Sequence, residues 1–460
     1  MIVSNGIDAH TGKPLIEISE DELAELIVDA EGHGGGLRQR LGTKPRKALP
    51  WQVVPTDVSH AGWSVVFAHG ESDEVRQALE PLVQHRRDQV EEDCHHRHEY
   101  FPGEEMVDWL ARQGVNPGAI DPSRVGYYVL IVGSPARIPF EFQYLLDIEY
   151  AVGRVAFDTP EEYRQYANSV VDSETSAPAR EKVVAYWGTL HPWDRATKLS
   201  ADHLLGPLVP DGAGQRGLAE RHGFRSTALI GEQATKAGLL ELIAGNSVAA
   251  RRPSLLVTAS HGLGGLAADD PEQRRRHGAL VTQDWNRGPV GIDVTVAGTD
   301  ISGAQVHGMV AFLFACYSAG TPMIDDFPVR GQPARQIADE PFVAYLPQRL
   351  LAHPNGGALA VIGHVERAWG YSIVSAGGSQ QRFEDTFAQI MCGVPVGHSM
   401  RMFNDAYAVL SANLTRQLNR VAQDMPAGAG GRRRLLELWM EWTDVQNYVV
   451  LGDPAVRLRG

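Results

Sequence analysis

The chain has 460 residues, more than a single domain usually holds. At 43% hydrophobic and 21% charged it has the make-up of a soluble globular protein, with ample apolar material for a core. A net charge of −14 disfavours sequence-independent binding to nucleic acid, and the short Arg274-Arg275-Arg276 run reads as a solvated loop. The opening Met1-Ile2-Val3-Ser4-Asn5-Gly6 lacks the charged start and apolar run of a secretory signal, and no stretch approaches membrane-spanning length. The three widely spaced cysteines, Cys94, Cys316 and Cys392, cannot form a disulfide framework. Reduced thiols suit a cytoplasmic setting, so a cytoplasmic protein with no membrane and no nucleic-acid partner is expected.

Residues 1–120 are weakly patterned and read as an N-terminal extension, either regulatory or a first subdomain. Within them Ser19 and Glu22 make a capping box before Leu23, Leu26 and Ile27, residues 31–50 read as a loop, and helical spacing over 73–92 is interrupted by Pro81. From about residue 125 the character changes. Apolar runs at 127–132, 183–187, 226–230, 254–259, 309–315 and 358–362 predict strands, the longer ones buried on both faces of a sheet. Between them Thr159-Pro160-Glu161-Glu162 opens a helix, and further helices are predicted over 233–245 and 379–391. Helices over 398–423 and 432–443 and a last strand at 448–451 complete the chain. Alternating strands and helices predict an α/β fold with a mainly parallel sheet covered on both faces, plus N- and C-terminal extensions. The expected segments are 121–178 and 179–397 for two parts of the α/β unit, and 398–460 for the C-terminal helices and strand.

In such sheets, sites form at the carboxyl ends of strands. Two runs end in reactive residues: Leu255–Ser260 delivers His261-Gly262, and Val310–Ala315 delivers Cys316-Tyr317-Ser318. His261 precedes Cys316 by 55 residues, room for a crossover between parallel neighbours. An imidazole beside a thiol generates the thiolate nucleophile and later protonates a leaving amine. The N–H groups of Gly262 and Cys316 are the expected oxyanion donors, since Gly262 permits close main-chain approach. Each residue also has a plain reading, Cys316 as a buried small hydrophobe and His261 as a structural histidine. Their combination favours chemistry. The segment 263–278, with DDPEQRRR at its centre, reads as a flexible loop, either solvated or cut during activation. Cys94-His95-His96-Arg97-His98 matches no zinc pattern and reads as a solvated helix end, while Cys392 reads as core filler. No metal, nucleotide or other cofactor motif is present, and no Gly-x-Ser-x-Gly elbow.

The blocks LLVTASHG and AFLFACYSAG resemble the His-Gly and Ala-Cys signatures of caspase-like cysteine peptidases, although Phe314 stands where caspases carry Gln. The wider chain is similar to the gingipain-like branch and to CHAT proteases, through YYVLIVGSPARIPFEFQYLLDIEYAVGRVAF, GALVTQDW, GGALAVIGHVERAWGYS and YVVLGDPAVRLR. The resemblance covers roughly residues 125–400 and the last dozen. It implies a caspase-hemoglobinase fold with a His261–Cys316 dyad and Gly262 at the oxyanion hole. It also implies that Asp147, Trp285 and Glu366 border the substrate cleft; each could instead be structural. An acidic pocket of Asp147, Glu366 and Asp284 would favour a basic residue before the cleaved bond. The expected activity is therefore a regulated cysteine endopeptidase with a protein or peptide substrate and an activating or inhibitory protein partner. A non-catalytic caspase-like scaffold and a thioester-using transferase or ligase are the competing readings.

Overall fold

The structure, a computed structural model, describes residues 2–19, 22, 53–176, 178, 180–210, 214–245, 252–325, 335–370, 373, 379–422 and 429–459. The expected loop at 31–50 and most of the helix after the Ser19–Glu22 box lie outside those residues, but the box itself forms, with the Glu22 amide donating to Ser19 Oγ at 3.2 Å.

Eighteen strands are present among the described residues. Three lie at the start: β1 (Ile2–Val3), β2 (Gly6–Asp8) and β3 (Glu17–Ile18). The next four are β4 (Trp63–Ala68), β5 (His95–Tyr100), β6 (Tyr128–Val132) and β7 (Ala151–Val155). Then come β8 (Val183–Gly188), β9 (Arg225–Ile230), β10 (Leu255–Ala259) and the short β11 (Gly262–Gly264), β12 (Leu280–Val281) and β13 (Thr295–Val296). The last five are β14 (Val310–Phe314), β15 (Gly320–Thr321), β16 (Phe342–Val343), β17 (Ala360–His364) and β18 (Tyr448–Gly452).

Ten of them make one sheet in the order β5-β4-β6-β7-β18-β17-β14-β10-β8-β9. Every pairing is parallel except β17–β18, so the sheet is two five-stranded parallel halves running in opposite directions. The halves share a strand order. In each, the second strand in sequence lies outermost, then the first, third and fourth: β5-β4-β6-β7 and β9-β8-β10-β14. Parallel neighbours need crossovers, and helices such as Asp73–Arg87, between β4 and β5, and Phe140–Leu146, between β6 and β7, supply them. The α/β class and the largely parallel sheet agree with the periodicity.

Residues 63–100, within the stretch read as an extension or a first subdomain, supply β4 and β5 of the main sheet. Their apolar run Trp63-Ser64-Val65-Val66-Phe67 is fully buried, with Ser64 satisfied by the Gly126 amide. Three local expectations differ from the structure. The helix Asp73–Arg87 runs unbroken through Pro81, because Leu79, Leu82 and Val83 are buried on either side of it. The His-rich 95–98 segment is edge strand β5, not a helix end. Cys392 is exposed beside His222 Nδ1 at 3.5 Å, not core filler.

A buried polar cluster ties the first half to the C-terminus. Asp453, just past β18, accepts from Trp63 Nε1 at 3.0 Å and from Arg86 Nε at 2.6 Å. Arg86 also holds Glu174 through two bonds of 2.7 Å. Burial opposes ionisation of Glu174, but Arg86, His85 and Gln89 outweigh it and keep the carboxyl well below its ordinary range. A carboxylate with a depressed folded-state pKa stabilises the fold above its unfolded pKa and loses that contribution as pH falls. Stability is therefore expected to drop as pH is lowered from the ordinary glutamate value of 4.5. Replacing Asp453 with Ala leaves the Arg86 Nε and Trp63 Nε1 donors buried without their acceptor, while Arg86 keeps Glu174, and should cost about 2–4 kcal/mol in denaturant unfolding.

Candidate functional site

Strands β10 and β14 are direct parallel neighbours, with Ala259 opposite Phe314. His261 lies two residues beyond Ala259 and Cys316 two beyond Phe314, so both leave the sheet at equivalent points on one edge. The Ser260 amide donates to Phe314 O at 3.1 Å, which keeps the two chains together past the last paired residues. Gly262 then passes so close that a methyl group on it would stand 1.9 Å from the Cys316 carbonyl oxygen and 2.8 Å from its nitrogen. No other residue fits there.

The loop after Cys316 is braced by strained backbone. Tyr317 and Glu366 both have positive φ, 58° and 71°, although neither is glycine. The Tyr317 amide donates to Glu366 O at 2.6 Å, so each holds the other in place. Ala368, two residues on, donates its amide to Cys316 Sγ at 3.1 Å. Cys316 has no solvent exposure, and burial pushes its thiol well above the ordinary value, so the thiol is protonated at neutral pH in this arrangement.

His261 is engaged at both ring nitrogens. Nε2 faces Asp194 Oδ2 at 2.8 Å, and Nδ1 lies against the Asn5 carbonyl oxygen. Asp194 caps the helix Arg195–Leu199, accepting the Thr197 amide at 2.9 Å. Burial works against its charge, but His261 and Thr197 outweigh it and hold the carboxyl well below its ordinary range. Trp285 stands edge-on to His261 at 6.2 Å between ring centres and to His191 at 5.3 Å. Burial, then nearby His261, lowers His191 to about 4, so it is neutral at pH 7.

The structure thus brings His261, Gly262, Cys316, Trp285 and Glu366 to one edge. Glu366 serves there through its backbone, and its side chain pairs with Arg367 at 2.9 Å. Asp147 is elsewhere: it accepts the Val152 amide at 3.0 Å at the head of β7. Two strands separate β7 from β14, roughly 14 Å at ordinary strand spacing. Burial raises the Asp147 carboxyl well above its usual range, as for a structural acceptor. Asp284 likewise accepts the Lys236 amide at 2.7 Å. The segment 263–278 carries β11 and the helical turn Gln273–Arg276, so it is built into the fold next to His261. Asp194 escaped the sequence reading, although it follows the strand at 183–188 and has a capping residue's context; the rule of inspecting strand ends applied to it equally.

Among the described residues no three His, Cys, Asp or Glu side chains are placed to hold a metal, and no helix is long and apolar enough to cross a membrane. No family model and no curated protein matches the chain. Solved structures do show likeness of shape. One is a protease at 13% identity and TM-score 0.47, covering 86% of this chain and 78% of that one. Two are crystal structures of the Saccharomyces cerevisiae separase–securin complex, at 14% and 12% identity and TM-scores of 0.35 and 0.34. Each covers 72% of this chain, which spans only 16% of the matched chain.

Asp194→Ala removes both the cap and the partner of a buried imidazole. An unfolding free energy lower by about 1–3 kcal/mol is expected in urea titration.

Proposed function

We propose that the protein is a cysteine endopeptidase of the caspase-like class, in which Cys316 attacks the peptide carbonyl and His261 moves the proton. The observation that carries this reading is the pairing of β10 with β14, which delivers imidazole and thiol at equivalent positions on one sheet edge. Asp194 is the positioning residue: its carboxylate accepts from Nε2–H, which makes Nδ1 the basic nitrogen, and Nδ1 faces the Asn5 carbonyl oxygen that lies over the cleft. The amides of Gly262 and Cys316 serve a developing oxyanion, and Gly262 N–H already donates to a carbonyl oxygen at 3.2 Å. The thiol proton passes to His261, the acyl group to sulfur, and the amine leaves with the proton; water then hydrolyses the thioester. Proteins or peptides are the substrates, and restraint by a partner or by the chain itself follows from a buried nucleophile. The preference for a basic residue finds no support, because Glu366 pairs with Arg367, Asp284 accepts the Lys236 amide and Asp147 lies two strands from the pair.

The competing reading, a caspase-like scaffold without catalysis, is favoured by one observation, the complete burial of Cys316. Labelling with a peptidyl acyloxymethylketone separates the two. Under the peptidase reading the probe modifies Cys316, and both labelling and peptide hydrolysis vanish in Cys316→Ala but survive in Cys94→Ala and Cys392→Ala. Asp194→Ala should lower kcat/KM by about 100-fold. A Cys316 no more reactive than Cys94 or Cys392 under any condition would sink the peptidase.

A further inference from the structure

What covers Cys316 is the chain's own N-terminal segment. Strand β2 pairs in parallel with β11, Gly6 opposite Gly262 and Asp8 opposite Gly264. Ile7 and Ala9 are buried in a small apolar cluster with Leu263, Val281 and Trp285. Just before β2, Asn5 crosses the site. Its N–H donates to Ala368 O at 3.2 Å, and Ala368 is the residue whose amide holds Cys316 Sγ. Its carbonyl oxygen accepts from Gly262 N–H at 3.2 Å and meets His261 Nδ1. Gly6 lies against the sulfur: a methyl group on its Cα would stand 3.2 Å from Cys316 Sγ and 2.6 Å from Leu15.

Resting on the peptidase reading, we infer that Ser4–Asp8 is bound as a substrate and that Cys316 cuts the Asn5–Gly6 bond of its own chain. A carbonyl oxygen that meets both the Gly262 N–H and the imidazole, and an N–H anchored to Ala368 in the loop after β17, are how a peptide substrate would lie there. The Asn5 side chain occupies the subsite for the residue before the bond. It is buried, its Oδ1 has no hydrogen-bond partner among the described residues, and that oxygen lies 3.6 Å from where a Cβ on Gly370 would stand. Leu199 closes on the same glycine, so the subsite suits a short amide and excludes a long guanidinium. In the reaction the Sγ proton goes to His261 and sulfur bonds to the Asn5 carbonyl carbon. The C–N bond to Gly6 breaks and His261 protonates the Gly6 nitrogen. Water then cleaves the thioester, restoring the thiol and leaving Met1–Asn5 with a new carboxylate.

The test is intact mass and N-terminal sequencing of the purified full chain after incubation, with hydrolysis of reporter peptides carrying Asn or Arg before the cleaved bond. A chain beginning at Gly6 is expected from the wild type and not from Cys316→Ala. Asn5→Arg should slow the cut about tenfold or more, and Asn peptides should be preferred by a similar factor. Gly6→Val, whose side chain has no room, should expel the segment, abolish the cut and speed iodoacetamide labelling of Cys316 about tenfold. Should that variant not fold, Asn5→Arg alone decides. A wild-type chain that keeps Met1–Asn5 while its Cys316 hydrolyses added peptides overturns self-cleavage and leaves the peptidase standing. Equal trimming of wild type and Cys316→Ala also overturns it. If Cys316 is inert to probe and peptide even in Gly6→Val, the peptidase reading itself falls.

Discussion

The parallel register of β10 on β14 is the constraint on which the site depends. Two buried five-residue strands, hydrogen-bonded side by side from Leu255–Val310 to Ala259–Phe314, leave no freedom in where the next residues emerge. His261 and Cys316 follow at the same distance from the last pair. Gly262 completes the arrangement by having no side chain, since any atom there would strike the Cys316 backbone. His261 and Cys316 are thus placed by the sheet core itself.

The sheet around that pair has an internal logic. Its two halves share the strand order second-first-third-fourth and meet through the single antiparallel pairing of β17 with β18. The first half carries no counterpart of the dyad: Gly133 and Ser134 follow its third strand, and Ala156 and Phe157 its fourth. It contributes instead a buried core and the Asp453–Arg86–Glu174 cluster, which locks the last strand of the chain to helices near its beginning. One half carries His261 and Cys316 and the other a buried flank.

Charge is managed by the same economy. The carboxylates that the sequence offers as a basic-residue pocket are engaged by Arg367 and by the backbone amides of Lys236 and Val152. Asp194, by contrast, is spent on His261, at a cost of burial that the imidazole offsets. The segment over Cys316 buries two polar side chains, the hydroxyl of Ser4 and the amide of Asn5.

The amino-acid sequence by itself determined the fold class and that His261 and Cys316 follow two buried strands. Apolar runs of five to seven residues bounded by glycine and turn residues suit buried strands, being too short for buried helices, and the residues just past two of them are His261-Gly262 and Cys316. Where periodicity was broken or short, it misled: Pro81 inside a helix held by its neighbours' burial, and an edge strand rich in histidine. Only the tertiary structure decided the rest. Asp194 and Asn5 lie 67 and 256 residues from His261, and nothing local links them. Which acids face the cleft, which are consumed elsewhere, and what lies on the thiol are questions of strand order across a ten-stranded sheet. Local propensity carries no information about that order, because it is set by which buried surfaces pack together.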